Sequence, residues 1–76
     1  MNKQRRKDLA RALELLSEAQ NIIETAQEEE QEYLDNMPES LQSSDRYYAA
    51  EAAADALTEA LSSLEEAISQ IDGAQE

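Results

Sequence analysis

A single helical seam in the second half of the chain limits the possible folds more than any other feature of the sequence. Its apolar residues follow one another in steps of three and four without interruption, and they are Tyr47, Ala50, Ala54, Leu57, Leu61, Leu64, Ile68 and Ile71. That spacing places one stripe of side chains along one side of a helix, as in a left-handed helix pair. We therefore expect an all-α protein in which this helix packs against another helix.

The chain breaks into two helices around Pro38. Proline disfavours the helical conformation at Met37, and residues 36–44 form a cluster of turn-forming residues. Gly73 follows the last seam residue, Ile71, in the position of a helix C′ glycine. The sequence predicts one domain over residues 1–76, with a helix over about 3–36, a loop over 37–44 and a helix over about 45–72.

The first helix carries an apolar stripe that is too wide for one partner helix, because Leu15 and Ile22 broaden it. A chain of 76 residues without cysteine also builds only a small core of its own. We therefore expect an antiparallel two-helix hairpin that assembles into an oligomeric helical bundle, as a homo-oligomer. The expected oligomer core consists of Leu9, Leu16, Ile23, Leu57, Leu61, Leu64 and Ile68.

Alanines recur every seven residues in both helices. The two columns are Ala12, Ala19 and Ala26 in the first helix and Ala53, Ala60 and Ala67 in the second. Small side chains in such columns allow close approach of antiparallel helices. A continuous parallel coiled coil is the alternative, but Pro38 and the polar loop favour the hairpin.

Composition excludes most catalytic chemistry. The chain has no cysteine and no histidine, which removes thiol and imidazole nucleophiles and the usual zinc and haem ligands. We therefore expect a protein that is not an enzyme and that needs neither metal nor cofactor. No run approaches the 18 apolar residues of a membrane span, so we expect no membrane partner and a cytoplasmic location.

Charge is distributed unevenly along the chain. Residues 1–11 have a net charge of +4, whereas residues 12–76 have a net charge of −16. We call Lys3, Arg5, Arg6, Lys7 and Arg11 the basic start. An antiparallel hairpin would set the basic start beside Glu65, Glu66, Asp72 and Glu76. A site for an anionic ligand or a nucleic acid is the alternative interpretation of the basic start. The acidic remainder argues against direct DNA or RNA binding.

Acidic residues cluster at the end of the first helix. Glu28, Glu32 and Asp35 share one helix face at a spacing that could hold a hard cation, but the oxygen-rich loop of a calcium site is missing. We expect a solvated face instead. Glu30 differs because it lies on the same seven-residue column as Leu9, Leu16 and Ile23. We expect either that the helices of the bundle separate at Glu30 or that Glu30 points into a polar site.

The start of the second helix has the residue types of a phosphate site. Arg46, Tyr47 and Tyr48 follow Ser43 and Ser44. Free amides at a helix start, hydroxyl groups and an arginine bind phosphate, and tyrosine rings stack on a base. These five residues are the candidate ligand-binding residues.

A structural interpretation of the same residues is also open. Ser44 or Asp45 would cap the second helix, and Tyr47 would fill the core. Arg46 would then pair with Asp35 or Glu32 across the turn.

Residues 28–47, together with Leu64-Glu65-Glu66-Ala67-Ile68 and the basic opening over residues 2–7, resemble a family of small helical proteins encoded by phages, prophages and mobile elements of Firmicutes. The resemblance covers most of the chain, and residues 35–46 are its most specific part. That family has no firmly assigned function. The resemblance therefore implies an origin and an architecture rather than an activity.

The order of helix, Asn-Met-Pro-Glu loop and a helix containing Leu-Glu-Glu-Ala is also similar to phage sponge proteins that sequester cyclic oligonucleotides and so silence CBASS immunity. That similarity implies a compact helical oligomer and a ligand site built from tyrosine and arginine, to which Arg46, Tyr47 and Tyr48 correspond here. We expect a non-catalytic counter-defence protein that binds a cyclic nucleotide signal. The alternative is an acidic, DNA-mimic-like inhibitor of a host defence protein such as a nuclease or a regulator.

Overall fold

The computed structural model describes residues 1–75 and consists of two long helices joined by a short turn. Helix α1 spans Lys3–Asp35 and helix α2 spans Asp45–Ala74, with a 3₁₀ turn over Glu39–Leu41 between them. The two helices pack against each other in a body that measures 59 × 15 × 14 Å. The predicted all-α, antiparallel two-helix hairpin is confirmed.

Side chains from the chain itself cap both helix starts. The Asn2 side chain accepts a hydrogen bond of 2.8 Å from the Arg5 backbone N–H. At the start of α2 the Ser44 hydroxyl accepts from the Tyr47 N–H at 3.2 Å and donates to the Leu41 carbonyl. Ser44 is therefore the cap of α2, as one of the two predicted candidates, and it links the turn to the helix.

The end of α2 differs from the prediction. The helix runs through Gly73 to Ala74, with Gln75 as its C-cap, and Gly73 does not adopt a positive φ. An added Cβ at Gly73 would meet no atom within 4 Å, so no close approach requires a glycine there. The prediction that Gly73 terminates the helix is wrong, because a glycine ends a helix only where the chain turns into the left-handed conformation.

Packing is uneven along the hairpin. The seam residues of α2 are all buried or half-buried, which confirms the seam as the side that faces α1. All seven residues of the expected oligomer core are half-buried within the single hairpin. In residues 1–75 the apolar residues that are buried lie toward the loop end only, and they are Leu34, Met37, Ala50 and Ala54.

The alanine columns line the contact between the helices only in part, because Ala12, Ala19 and Ala67 are half-buried and the other three are not. Ala53 and Ala60 are exposed, and so is Ala26. Ala53 directly precedes the buried Ala54, and consecutive helical residues point about 100° apart. The expectation that both columns bring α1 and α2 together is therefore wrong for these positions.

The hairpin has two different broad sides. Tyr33 and Arg46 line one recess, whereas Glu24 and Glu65 line another. Helical residues that are three, four or seven positions apart lie on the same side of the helix, so these four residues show which side their helical neighbours occupy. We define the apolar face as Leu15, Ile22 and Ala26 of α1 with Ala53, Ala56, Ala60 and Ala67 of α2, and the acidic face as Glu24, Glu28 and Asp35 of α1 with Glu51, Glu65 and Asp72 of α2.

Candidate ligand-binding recess at the loop end

A surface recess of about 550 Å³ lies where the end of α1 meets the turn and the start of α2. It exists because the chain leaves the helix at Met37 and Pro38, and Leu41 of the 3₁₀ turn then folds back beside the last turn of α1. The lining residues are Glu29, Glu32, Tyr33, Asn36, Met37, Pro38, Leu41 and Arg46. The recess thus combines apolar side chains with one cation and two carboxylates.

Arg46 has no ion-pair partner within residues 1–75. The predicted pairing of Arg46 with Asp35 or Glu32 is not formed, and Asp35 instead accepts a hydrogen bond from the Gln31 side chain at 3.0 Å. Arg46 is exposed, and Tyr33 in the same recess is 46% exposed. The guanidinium and the ring are both open to a ligand.

Neither tyrosine of α2 lies in the recess beside Arg46. Tyr47 is half-buried against the core formed by Leu34, Ala50 and Ala54, in agreement with the structural interpretation of this residue. The Tyr48 ring is 55% exposed and meets the Tyr47 ring edge-on at 5.9 Å. Residues two positions apart on a helix point about 200° apart, so Arg46 and Tyr48 lie on different sides of α2.

The two serines lie outside the recess lining. The Ser44 hydroxyl is engaged both as a donor and as an acceptor in the helix cap. Ser43 is exposed in the loop. Arg46 is thus the member of the candidate ligand-binding residues that lines the recess.

Tyr33 is the functional candidate that sequence analysis did not select. It continues the seven-residue spacing of Ala12, Ala19 and Ala26 on α1, which gives no indication of a ligand. A signal was present, because Tyr33 and Arg46 lie seven and six residues from Ser40 at the middle of the loop. An antiparallel hairpin brings positions at equal distances from its turn to the same level.

The acidic cluster borders the recess without forming a closed site. Glu28, Glu32 and Asp35 are exposed, as expected for a solvated face. Glu30 is half-buried on the column that points toward α2. Glu29 and Glu32 face the recess, where their carboxylates can accept hydrogen bonds.

The basic start makes no ion pair with α2 in residues 1–75. Its one ion pair there is local, between Arg11 and Glu14 on the same helix, at 3.1 Å between exposed side chains. The predicted pairing with Glu65, Glu66 and Asp72 is therefore not formed, and Glu76 lies outside the described residues. The cations of this end remain available to another molecule.

Comparison of the chain with protein-family models, with curated proteins and with solved structures gives no match. Within residues 1–75, neither helix contains a stretch that is long and apolar enough to cross a membrane. A proposal for the function therefore has to be argued from the residues that line the recess.

Proposed function

We propose that the protein is a non-catalytic, phage-type counter-defence protein that binds and sequesters a cyclic nucleotide signal in the recess at the loop end. The observation that carries the proposal is the unpaired Arg46 beside the half-exposed ring of Tyr33. A sponge needs no reacting group. It needs only a site that holds phosphate and base together.

Arg46 and Tyr33 supply these two contacts. A guanidinium binds a phosphate through two parallel N–H···O bonds. An aromatic ring stacks on a nucleobase, and such stacking contributes about 1–3 kcal/mol per base. The apolar side chains of Met37 and Leu41 cover the remaining base surface. A nucleotide therefore matches the recess better than a simple anion does.

The carboxylates of the recess favour one type of base. Glu29 and Glu32 accept hydrogen bonds but cannot donate them when ionised. Guanine presents adjacent N–H donors on its Watson–Crick edge, whereas the same edge of adenine carries a ring acceptor next to its amino group. We expect a cyclic dinucleotide that contains guanine to bind more tightly than an all-adenine one.

Titration calorimetry with cyclic di-GMP and cyclic di-AMP tests this proposal. Arg46→Ala should weaken binding of cyclic di-GMP about tenfold or more, because it removes charged hydrogen bonds worth about 1.5–3 kcal/mol. Ser62→Ala is the control, since it removes an exposed polar side chain near the middle of α2, outside the recess, and should leave affinity unchanged. Equal affinities for both variants and the original protein would exclude Arg46 as a ligand contact.

Native mass spectrometry of the protein purified from phage-infected, defence-active cells addresses the identity of the ligand. A retained mass that matches a nucleotide supports the sponge. A stoichiometric protein partner supports the alternative, and the spectrum distinguishes these outcomes directly.

The acidic face supports the second candidate, an inhibitor that occupies a basic groove on a host nuclease or regulator. Its carboxylates are all exposed and follow the hairpin on one side, as phosphates follow a nucleic acid. Glu28→Gln with Glu65→Gln should then weaken capture of the host protein, and the effect should grow at low salt. Arg46→Ala should leave that capture intact, which separates the two candidates.

A further inference from the structure

We infer that the apolar face binds the apolar face of a second copy of this chain, with the loop ends at opposite ends of the resulting four-helix bundle. The expectation of a homo-oligomer rested on the α1 stripe at Leu15 and Ile22, but it gave neither the α2 side of the surface nor the orientation. Both follow from the side chains that the hairpin leaves exposed and from the charges at its two ends. The inference does not depend on the proposed nucleotide.

Large apolar side chains remain uncovered on one side of α1. Ile22 is 70% exposed and Leu15 is 47% exposed, although both lie in the middle of a long helix. A recess of about 460 Å³ beside Ile22 is lined by Ala26 and Thr25, with Asn21 and Glu29 of the same helix also among its lining residues. The side of α2 that continues this surface carries small side chains, which are Ala53, Ala56, Ala60, Ser63 and Ala67. The apolar face therefore has the character of an uncovered bundle interior.

The exposed area of the hairpin matches the size of a dimer interface. The accessible surface is 5735 Å², whereas a compact monomer of 8.5 kDa exposes about 4,650 Å². The excess of about 1,100 Å² exceeds the roughly 800 Å² that each partner buries in a stable interface. The radius of gyration of 17.3 Å, against about 11 Å for a compact chain of this length, agrees with an incomplete globule.

The charges at the two ends select a second copy as the partner. The basic start carries the positive charge of residues 1–11, whereas residues 28–39 contain six Asp or Glu and no Lys or Arg. Both clusters have the unfavourable sign for the α1 dipole, with cations at its N-terminus and anions at its C-terminus. A second α1 that runs antiparallel to the first neutralises both clusters at once. A parallel arrangement would instead stack two acidic loop ends.

The register of the two copies follows from the alanines of α2. Ala53 and Ala67 lie at equal distances from Ala60, so a two-fold axis at Ala60 sets Ala53 opposite Ala67 of the second copy. Small side chains at all these positions let the two α2 helices approach closely.

The same axis pairs charges along α1. Gln20 and Leu61 line one recess, which shows that α1 near residue 20 is level with α2 near residue 60. An antiparallel α1 pair centred at Gln20 then sets Arg11 opposite Glu29 of the second copy. The basic start of one copy thus borders the loop-end recess of the other.

Sedimentation equilibrium tests the surface. The original protein should be a dimer at micromolar concentration, and Ile22→Asp should weaken association at least tenfold. Ser17→Asp introduces the same residue at an exposed position on another side of α1 and should leave the dimer intact. A monomeric original protein, or a dimer that Ile22→Asp and Ser17→Asp affect equally, would overturn the inference.

Spin labels test the orientation without a destabilising change. The chain has no cysteine, so Ser40→Cys at the exposed loop places one label on each copy. Double electron–electron resonance should give a separation close to the 59 Å length of the hairpin. A separation on the order of 20 Å or less would place the loop ends together and would refute the antiparallel arrangement. Because no nucleotide is added, failure here leaves the proposed function untouched, and failure of nucleotide binding leaves the dimer untouched.

Discussion

The loop end and the open end of the hairpin are built from similar residues but are packed differently. At the loop end Leu34 packs with Ala50 and Ala54 of α2, and Met37 is buried as well. At the open end Leu9 of α1 and the seam residues Ile68 and Ile71 of α2, which are of similar size, remain half-buried. The loop end is closed by the 3₁₀ turn and the Ser44 cap, whereas the described chain places no such closing element across the open end. Burial in this hairpin therefore depends on closure of the end more than on the size of the apolar residues.

A charge in the closed end should have the largest effect. Ala54 is 2% exposed, so Ala54→Asp buries a carboxylate without a partner, at a cost of several kcal/mol against a total stability of about 5–10 kcal/mol. We expect loss of helical circular dichroism at 25 °C.

Ala52→Asp is the control for this change. Ala52 is an exposed alanine two positions earlier on the same helix, and its substitution should leave the spectrum nearly unchanged. If Ala54→Asp melts like Ala52→Asp, the loop end does not contain the closed core described above.

Leucine truncation at each end measures the packing difference directly. Leu34→Ala should cost about 2–4 kcal/mol in urea unfolding, whereas Leu9→Ala should cost about 1 kcal/mol because its side chain is only half-buried. If a second copy covers the open end, the difference between the two unfolding free-energy costs should become smaller as protein concentration rises. Equal costs in dilute solution would mean that the two ends are packed alike.

The N-terminal caps of the two helices, Asn2 of α1 and Ser44 of α2, allow the stability of the two ends of the hairpin to be compared. Ser44→Ala should cost about 1 kcal/mol, since it removes both the bond from the Tyr47 N–H and the bond to Leu41. Asn2→Ala should cost only a few tenths, because the first turn of α1 is exposed and can fray. Thermal unfolding of both variants checks the order, which the opposite ranking would contradict.

The smallest effect is expected at Gly73. Its backbone is helical and the space for a Cβ is open, so Gly73→Ala should stabilise the protein by about 0.5 kcal/mol. A glycine in a left-handed cap would respond with the opposite sign. A lower melting temperature for Gly73→Ala would therefore restore the prediction from sequence.

The sequence predicted the elements of this fold that depend on periodicity and local chemistry. The seam of α2 faces α1 as its spacing indicated, the hairpin turns beside Pro38, and Ser44 caps the second helix. These features are decided within a few residues of one another or by a repeat along one helix. Gly73 was misjudged because its cost inside a helix is small enough for the neighbouring residues to continue the last turn.

The candidate site was harder to predict because it joins residues from three segments. Arg46 was selected as a candidate ligand-binding residue, but its neighbour Tyr33 in the recess belongs to the other helix. Tyr47 and Tyr48 are adjacent to Arg46 in sequence and yet point away from it, as the turn of a helix requires. Ion pairs between exposed, flexible side chains contribute little to the free energy of folding, so charge counts alone did not locate partners for the basic start.

The two hydrogen bonds of the Ser44 hydroxyl have a consequence for how this chain can change in length. They fix the turn to the first residues of α2, so the loop sets the rotational phase of α2 about its own axis. Removing one loop residue would turn α2 by about 100° and bring polar positions toward α1. Adding or removing seven residues at the open end, by contrast, would keep every side chain in phase. A chain of this design can lengthen at its free ends, while its turn must keep its residue count.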